Sequence, residues 1–245
     1  MRILQLNLWN INEPLRERMD VLARGVKDIA PDYITFQEVS PIEGKLQIEE
    51  FADELGYRWY FAEAGSFRGR REGNAILSKR KALHCETVDL CCSEIDLQRV
   101  AICCVFANSK QEKCALISTH FAYPINANSA RYKQAVQLCE YIRRLDVDHV
   151  IIGADLNSIP TSSAVDHLLS ECGLVDAWKL APSDGPIYSF DGRNPYVRKN
   201  LWPNRRIDYV LFSSHLMVTS CQAVFTKSIY GIVSDHYAIV ADVEW

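Results

Sequence analysis

The sequence has no apolar run approaching the roughly 18–20 residues that a membrane-spanning helix needs, so no transmembrane segment is expected. It has no Cys-x-x-Cys pair and no Cys/His spacing of the zinc-binding kind, which excludes a zinc finger or ribbon. It has no excess of positive charge: 27 Lys+Arg stand against 31 Asp+Glu, a net charge of −4, which argues against a dedicated nucleic-acid binder. No internal repeat, low-complexity tract or long Ser/Gly linker divides it. The N-terminal residues Met1 to Asn7 turn polar too early for a secretory signal.

What is present is an ordinary globular chain of 245 residues, 48% of them hydrophobic, long enough to bury a substantial core. The nine cysteines are an odd count and include the adjacent pairs Cys91-Cys92 and Cys103-Cys104. Neighbouring strand residues point to opposite faces, so these read as small buried hydrophobes in a reducing compartment. Cytoplasmic localisation is expected, or a mature form that has lost its leader.

The apolar pattern predicts a strand over 2–8 and a helix opened by Pro14, with Leu15, Met19, Leu22, Val26 and Ile29 at steps of three and four. A strand over 33–36 and a helix over roughly 43–55 follow. Strands are predicted at 57–62, 74–78, 84–90, 99–107 and 113–119. A helix capped by Ser129 runs to Leu145, a buried strand covers 150–153, and a short helix covers 161–171. The last strands lie near 207–212, 218–225 and 238–243. Helices and strands do not alternate regularly. Two mostly antiparallel sheets packed together with helices outside fit this order better than a doubly wound sheet.

Polar side chains stand repeatedly at the ends of these strands: Asn7, Glu38, Asn74, His120, Asp155 with Asn157, Asp208, and Asp235 with His236. Rigid strands hold such groups while loops admit substrate. Each has a bland reading alone, as a turn asparagine, a solvated carboxylate, a core histidine or an Asx turn. Recurring seven times, the pattern points to a site that binds metal or phosphate.

The segments that carry these residues are Leu6-Asn7-Leu8-Trp9, Gln37-Glu38-Val39, Gly73-Asn74-Ala75-Ile76-Leu77-Ser78-Lys79, Ser118-Thr119-His120, Gly153-Ala154-Asp155-Leu156-Asn157, Arg206-Ile207-Asp208-Tyr209-Val210-Leu211 and Ser234-Asp235-His236. In this order they resemble the motifs of the endonuclease/exonuclease/phosphatase superfamily, which includes deoxyribonucleases, neutral sphingomyelinases, inositol polyphosphate 5-phosphatases and tyrosyl-DNA phosphodiesterases. The resemblance runs from residue 3 to residue 243. It implies an α+β fold, a four-layer αββα sandwich, and a single domain over 1–245. It also implies magnesium-dependent hydrolysis of a phosphoester by in-line attack of water, with manganese as a substitute.

By the same resemblance Glu38 is the main metal ligand, with Asn7 and Asp235 completing or orienting the shell. Asp155 orients or deprotonates water, and Asn157 donates to a phosphate oxygen. His236 donates to the developing charge, Asp208 holds the His236 ring, and His120 is a second donor or general acid supported by Asn74. Glu72 is a supporting acid. Trp9 stands where abasic-site endonucleases often carry an acidic residue, which moves the resemblance toward the sphingomyelinase branch. Tyr188-Ser189-Phe190-Asp191 resembles that branch and the tyrosyl-DNA phosphodiesterase branch.

Charge is distributed unevenly. Residues 64–81 and 193–206 together carry a net +10, leaving −14 for the remainder. These are solvated loops or a positive rim for an anionic substrate, with Arg70, Arg71, Arg205 and Arg206 as substrate-binding candidates. Tyr188, Phe190, Tyr196 and Trp202 stack on substrate or pack as core. The substrate is a nucleic-acid or nucleotide phosphodiester, or a phospholipid head group. A sugar or inositol phosphate monoester and a catalytically silent phosphate-binding module are the alternatives. No amphipathic membrane anchor is visible, and the sequence implies no protein partner.

Overall fold

The computed structural model describes residues 1–67, 69–90, 98–181, 186–198 and 203–245. Arg68, Cys91, Cys92, Lys199 and Trp202 lie outside the described residues, as does the side chain of Arg70. The first half contains β1 (Arg2–Asn7), α1 (Leu15–Ile29), β2 (Tyr33–Val39), the short strands β3 (Pro41–Ile42) and β4 (Lys45–Leu46), α2 (Glu49–Glu54), β5 (Arg58–Phe67), β6 (Arg70–Ser78) and β7 (His84–Asp89). Then come β8 (Val100–Ala107), β9 (Lys113–His120), α3 (Asn128–Ile142), β10 (His149–Asp155), α4 (Ser163–Glu171), β11 (Leu174–Asp176) and α5 (Ala177–Leu180). β12 (Asp208–Ser213), β13 (Met217–Val224) and β14 (Ala238–Glu244) close the chain.

Two six-stranded sheets form, in the orders β13-β14-β1-β2-β6-β5 and β11-β12-β10-β9-β8-β7. Each is antiparallel except for one parallel pair, β1 with β2 and β9 with β10. A parallel pair needs a crossover, and α1 and α3 supply the two. The sheets face each other across a core in which Ile3, Tyr33 and Ile76 share a cluster with Val100, Ile151, Val210 and Phe212. Leu22, Val26 and Ile29 of α1 cover Leu4, Leu6 and Phe36 on one outer face. Leu138 of α3 and Leu168 of α4 cover Ile117 and Ile152 on the other. The layers are therefore helix, sheet, sheet, helix, as the resemblance implies.

Several local expectations are corrected. The helix over 43–55 begins only at Glu49, because Glu43 and Gly44 turn left-handed (φ 50° and 88°) and close the β3–β4 hairpin. Ser129 lies inside α3, whose N-cap is Ala127 with no side-chain bond. Ser162 does cap α4, its Oγ accepting from the Val165 N–H at 3.3 Å. β11 and α5 were too short to show a period.

The cysteine expectation is corrected as well. Register places Cys85 opposite Cys104 on β7 and β8, and these two form a disulfide, with Cα atoms 4.2 Å apart. Packing of α3 against α4 brings Cys139 to Cys172, a second disulfide with a Cα separation of 5.9 Å. Cys103, Cys114 and Cys221 are free and buried, as expected.

The sheets approach closely near Gly153 of β10, where an added Cβ would lie 2.8 Å from the Cβ of Thr35 on β2. Gly153→Ala should therefore destabilise the protein by about 1–3 kcal/mol through overpacking. Thermal melts should show the loss, and Thr35→Ala in the same chain should recover part of it. An unchanged melting temperature in Gly153→Ala would contradict the close approach.

Candidate active site

Alternate residues along a strand share a face, and the faces turned toward the gap between the sheets change character along their length. Ile3 and Tyr33 are paired in one sheet, and Leu116, Ile151 and Phe212 are aligned in the other. Two residues further toward the site the aligned sets are Gln5 with Thr35, and Ser118, Gly153 and Val210. Two further still they are Asn7 with Gln37, and His120, Asp155 and Asp208. The gap thus opens from hydrocarbon into a polar mouth where both sheets end.

Asp155 sits at the centre of that mouth and is 1% exposed. Its Oδ2 accepts from the Asn7 amide at 2.9 Å, and its Oδ1 accepts from the Asn157 N–H at 2.9 Å. The same Asn7 amide donates to Glu38 Oε1 at 3.2 Å. Asn7 Oδ1 is taken by the Trp9 N–H at 2.9 Å. Asn7 therefore donates to two carboxylates, while its Oδ1 accepts one backbone bond.

The two histidines flank Asp155 in different states. His236 Nδ1 donates to Asp208 Oδ2 at 2.8 Å, and its Nε2 lies 3.8 Å from Asp155 Oδ2 and 3.9 Å from Asp235 Oδ1. Burial alone would lower its pKa, but Asp208, Asp155 and Asp235 outweigh burial and hold it well above the ordinary value. Gln5 Nε2 fixes the other oxygen of Asp208 at 3.0 Å. His120 Nε2 lies 2.9 Å from Asn157 Nδ2 and 3.4 Å from Asp155 Oδ2. Burial first, then the charge of Arg99, lowers the His120 pKa to about 3. That amide also donates to the Phe121 carbonyl at 3.3 Å, so Nε2 of the neutral ring is the acceptor.

Glu38 is half-buried, in a left-handed conformation (φ 54°) that ends the regular pairing of β2. Loss of solvent, then the charges of Glu72 and Asp235, push its carboxyl up to about 8. Burial likewise pushes Asp235 up to about 6. Glu72 is paired with buried Arg99 at 3.2 Å and accepts from Asn10 at 3.0 Å. Acids crowded together against their own repulsion form a donor set that a hard divalent cation fits. Among the described residues, one group of three other candidate ligands clusters within 4.8 Å, Asp155, Asp208 and His236. Its imidazole is hydrogen-bonded to Asp208 through Nδ1, and against burial Asp208 and Asp155 hold its pKa well above the ordinary value.

The remaining candidates separate. The Arg205 guanidinium packs over the Phe190 ring at 5.5 Å, within electrostatic reach of Asp155 and Asp208, and Phe190 packs edge-on against His236. Tyr196 stacks on Trp9 beside Asn7, ring centroids 5.0 Å apart. Arg206 is buried and bound to Asp176 at 2.6 Å, so its expected contact with substrate is corrected to an internal ion pair. Arg71 is paired with Glu63 on the β5–β6 hairpin. Asn74 donates to the Val100 carbonyl at 2.9 Å rather than to His120. Lys79, Arg80 and Lys81 follow the far end of β6, five or more residues beyond Asn74, and Arg193 is held by Asp191. The expected positive rim is therefore largely dispersed.

Sequence reasoning missed Gln5, Ser189 and Ser234. Ser189 Oγ accepts from the N–H groups of Ile207 and Asp208 at 3.0 and 3.1 Å. Ser234 Oγ donates to the Asn7 carbonyl at 2.6 Å and accepts from the His236 N–H at 3.1 Å. Gln5 had a signal: with Ile3 and Asn7 it makes an inward face that turns polar. Ser189 and Ser234 stand inside segments that resemble the family, but the sequence assigned neither a role.

A family model described as the endonuclease/exonuclease/phosphatase family matches residues 4–236. The chain belongs to that family. Its fold is similar to the human Nocturnin catalytic domain with bound sulfate anion, with a TM-score of 0.82 at 20% identity, covering 100% of this chain and 94% of that one. It is also similar to D. rerio TDP2 complexed with single strand DNA product (TM-score 0.81, 18% identity, 100% and 99% covered). The mannosyl-6-phosphatase Bt3783 of Bacteroides thetaiotaomicron gives 0.78 at 17% identity, with both chains fully covered. A putative neutral sphingomyelinase of Caenorhabditis elegans is 31% identical over 105 residues, 34% of this chain and 24% of that protein. The aligned stretch is thus about a quarter of that curated relative's length.

The two imidazoles give a direct check. Nuclear magnetic resonance titration should find His236 protonated through neutral pH and His120 neutral down to about pH 3. Asp208→Asn should move the His236 midpoint down while leaving His120 in place. For stability, the His236 contribution is present below the unfolded pKa and is lost as pH rises through the raised folded value. The His120 contribution is present above the unfolded pKa and is lost as pH falls toward about 3. Equal midpoints for the two rings would contradict the assignment.

Proposed function

We propose that residues 1–245 form one catalytic domain, a magnesium-dependent phosphodiesterase that hydrolyses a nucleic-acid, nucleotide or lipid head-group phosphodiester by in-line attack of water. The observation that carries the reading is the pairing of a charged and a neutral imidazole on either side of one buried carboxylate. Glu38 and Asp235, with Asn7 orienting Glu38, would hold the cation. When bound it would neutralise phosphate charge and stabilise the leaving oxygen. Asp155 holds the attacking water and accepts its proton. Protonated His236 presents Nε2 to a phosphoryl oxygen; at 3.8 and 3.9 Å from Asp155 and Asp235 that nitrogen is hydrogen-bonded to neither acid. Asp208 keeps that ring charged and aimed. Asn157 fixes the His120 ring beside the same phosphate.

A diester is favoured over a monoester by charge. Arg206, Arg193 and Arg71 are committed to Asp176, Asp191 and Glu63, so beyond the metal the described residues near Asp155 offer chiefly His236 to an anion. That suits the single charge of a diester better than the double charge of a monoester. That proteins of similar fold bind a sulfate anion and a single-strand DNA product supports an anionic ligand. No described helix is long and apolar enough to cross a membrane. The cytoplasmic expectation rests on the lack of a signal-like N-terminus and on unpaired thiols; the two disulfides remove the second support, so the proposal carries no compartment.

Hydrolysis of bis-p-nitrophenyl phosphate should require magnesium and fall at least about 1,000-fold in Glu38→Ala and in Asp155→Asn. A panel of single-stranded and duplex DNA, RNA, sphingomyelin, 5′-tyrosyl DNA and sugar phosphates identifies the substrate. Faster turnover of sugar phosphates would favour the monoesterase alternative, and no turnover by the folded protein would favour a silent binding module. Magnesium binding at pH 7 should release protons, because the metal-free Glu38 carboxyl is held at about 8 and must ionise to ligate. Calorimetry in buffers of different ionisation enthalpy reads that release, and Glu38→Gln should reduce it.

A further inference from the structure

Two arginines outside the acid and histidine set are almost fully buried, Arg18 at 1% exposure and Arg131 at 3%. A buried cation is normally paired with a carboxylate, yet neither forms a carboxylate ion pair within the described residues. All five Arg18 donor bonds go to backbone carbonyls. Nη1 reaches Leu8 and Val233 at 2.8 and 2.7 Å, Nη2 reaches Asn10 and Asn12 at 3.0 and 2.8 Å, and Nε reaches Asn12 at 3.1 Å. Arg131 behaves alike. Its Nη1 donates to the carbonyls of Ala122 and Pro124 at 2.9 and 2.6 Å, and its Nη2 to Ile125 O at 3.0 Å and Asn128 Oδ1 at 2.5 Å.

The two positions correspond. Each arginine is the fourth residue of a crossover helix, Arg18 in α1 and Arg131 in α3. Each helix joins the parallel pair of its own sheet, and each arginine grips the loop that leaves the first strand of that pair. For Arg18 that loop follows Asn7; for Arg131 it follows His120. The first turn of a helix is where the backbone dipole disfavours a cation, so both arginines stand against local preference. Arg18 also holds Val233, one residue before the Ser234 that ties Asn7 to His236. Its charge acts on Asp235 and Glu38, and that of Arg131 acts on Asp155.

We propose that Arg18 and Arg131 are a matched pair of positioning residues, one for each sheet, that fix the loops leaving β1 and β9 and thereby set the spacing of Asn7 and His120 across the mouth. This rests on the hydrolase reading for its effect on rate, but the clamps themselves do not. The planar fork is what spans several carbonyls; lysine keeps the charge and concentrates its donors on one atom.

The experiment is Arg18→Lys and Arg131→Lys in the full chain, with Arg18→Met and Arg131→Met, which keep much of the bulk, used where a lysine variant does not fold. Each folded variant should lower kcat on bis-p-nitrophenyl phosphate by about 10- to 100-fold with KM within about threefold, because a small displacement of reacting groups acts on the chemical step. Hydrogen exchange should quicken in residues 8–12 for the Arg18 variant and in 121–127 for the Arg131 variant, with the core strands unchanged. Wild-type kcat in the lysine variants, or faster exchange spread evenly through the sheets, overturns the proposal. If the wild-type chain turns over no phosphoester, the hydrolase reading fails instead. Calorimetric affinity for inorganic phosphate then replaces kcat: a tenfold loss in each variant supports the pair, and unchanged affinity overturns it.

Discussion

The Asp155 carboxylate is buried where the two sheets meet, and a charge in such a place persists only if hydrogen bonds hold both of its oxygens. One bond comes from its own strand end, through the Asn157 N–H, and one from the opposite sheet, through the Asn7 amide. The second has the larger consequence. It couples strands that are 148 residues apart in sequence, and the amide it uses also reaches Glu38. The spacing of the sheets near Gly153 and Thr35 therefore sets the geometry of the acids as well as the packing of the core.

Around that carboxylate, identical side chains acquire opposite properties from their surroundings. His236 has Asp208 on its ring nitrogen, and further acids nearby keep it charged despite burial. His120 has an amide on its ring nitrogen and a nearby arginine charge, and burial keeps it neutral. The difference follows from register, because His120 and Asp208 are the two neighbours of Asp155 in one sheet, whereas His236 approaches from the loop before β14. One row of a sheet and one loop thus supply a cationic donor and a neutral ring to the same space.

Most of this arrangement was legible in the sequence because it follows the two-residue period of strands. Asn7, His120, Asp155 and Asp208 mark strand ends directly, and their convergence follows once two sheets are assumed. The failures have physical causes. Arg206 and Arg71 read as a substrate rim because composition counts charges without their partners: Asp176 is 30 residues from Arg206, and Glu63 meets Arg71 only once β5 and β6 pair. Lys79 to Lys81 lie near Asn74 in sequence but at the other end of β6, since a strand carries its ends apart. The Asn7 amide orientation depends on the Trp9 N–H, which no motif specifies. The disulfides depend on β7–β8 register and α3–α4 packing, both long-range.

The inward faces described above grade from hydrocarbon to polar groups in one direction only. The space between the sheets is therefore closed by packed hydrocarbon along its floor and turns polar toward one mouth. A phosphoester meets these polar groups from the mouth, and a polymer cannot thread between the packed sheets. Whatever is attached on either side of the reacting phosphorus must lie across the rim, on the loops after β1 and β9 and on the segments around residues 186–198, 203–206 and 225–236. The floor is common to any phosphoester, and the choice among them falls to those loops.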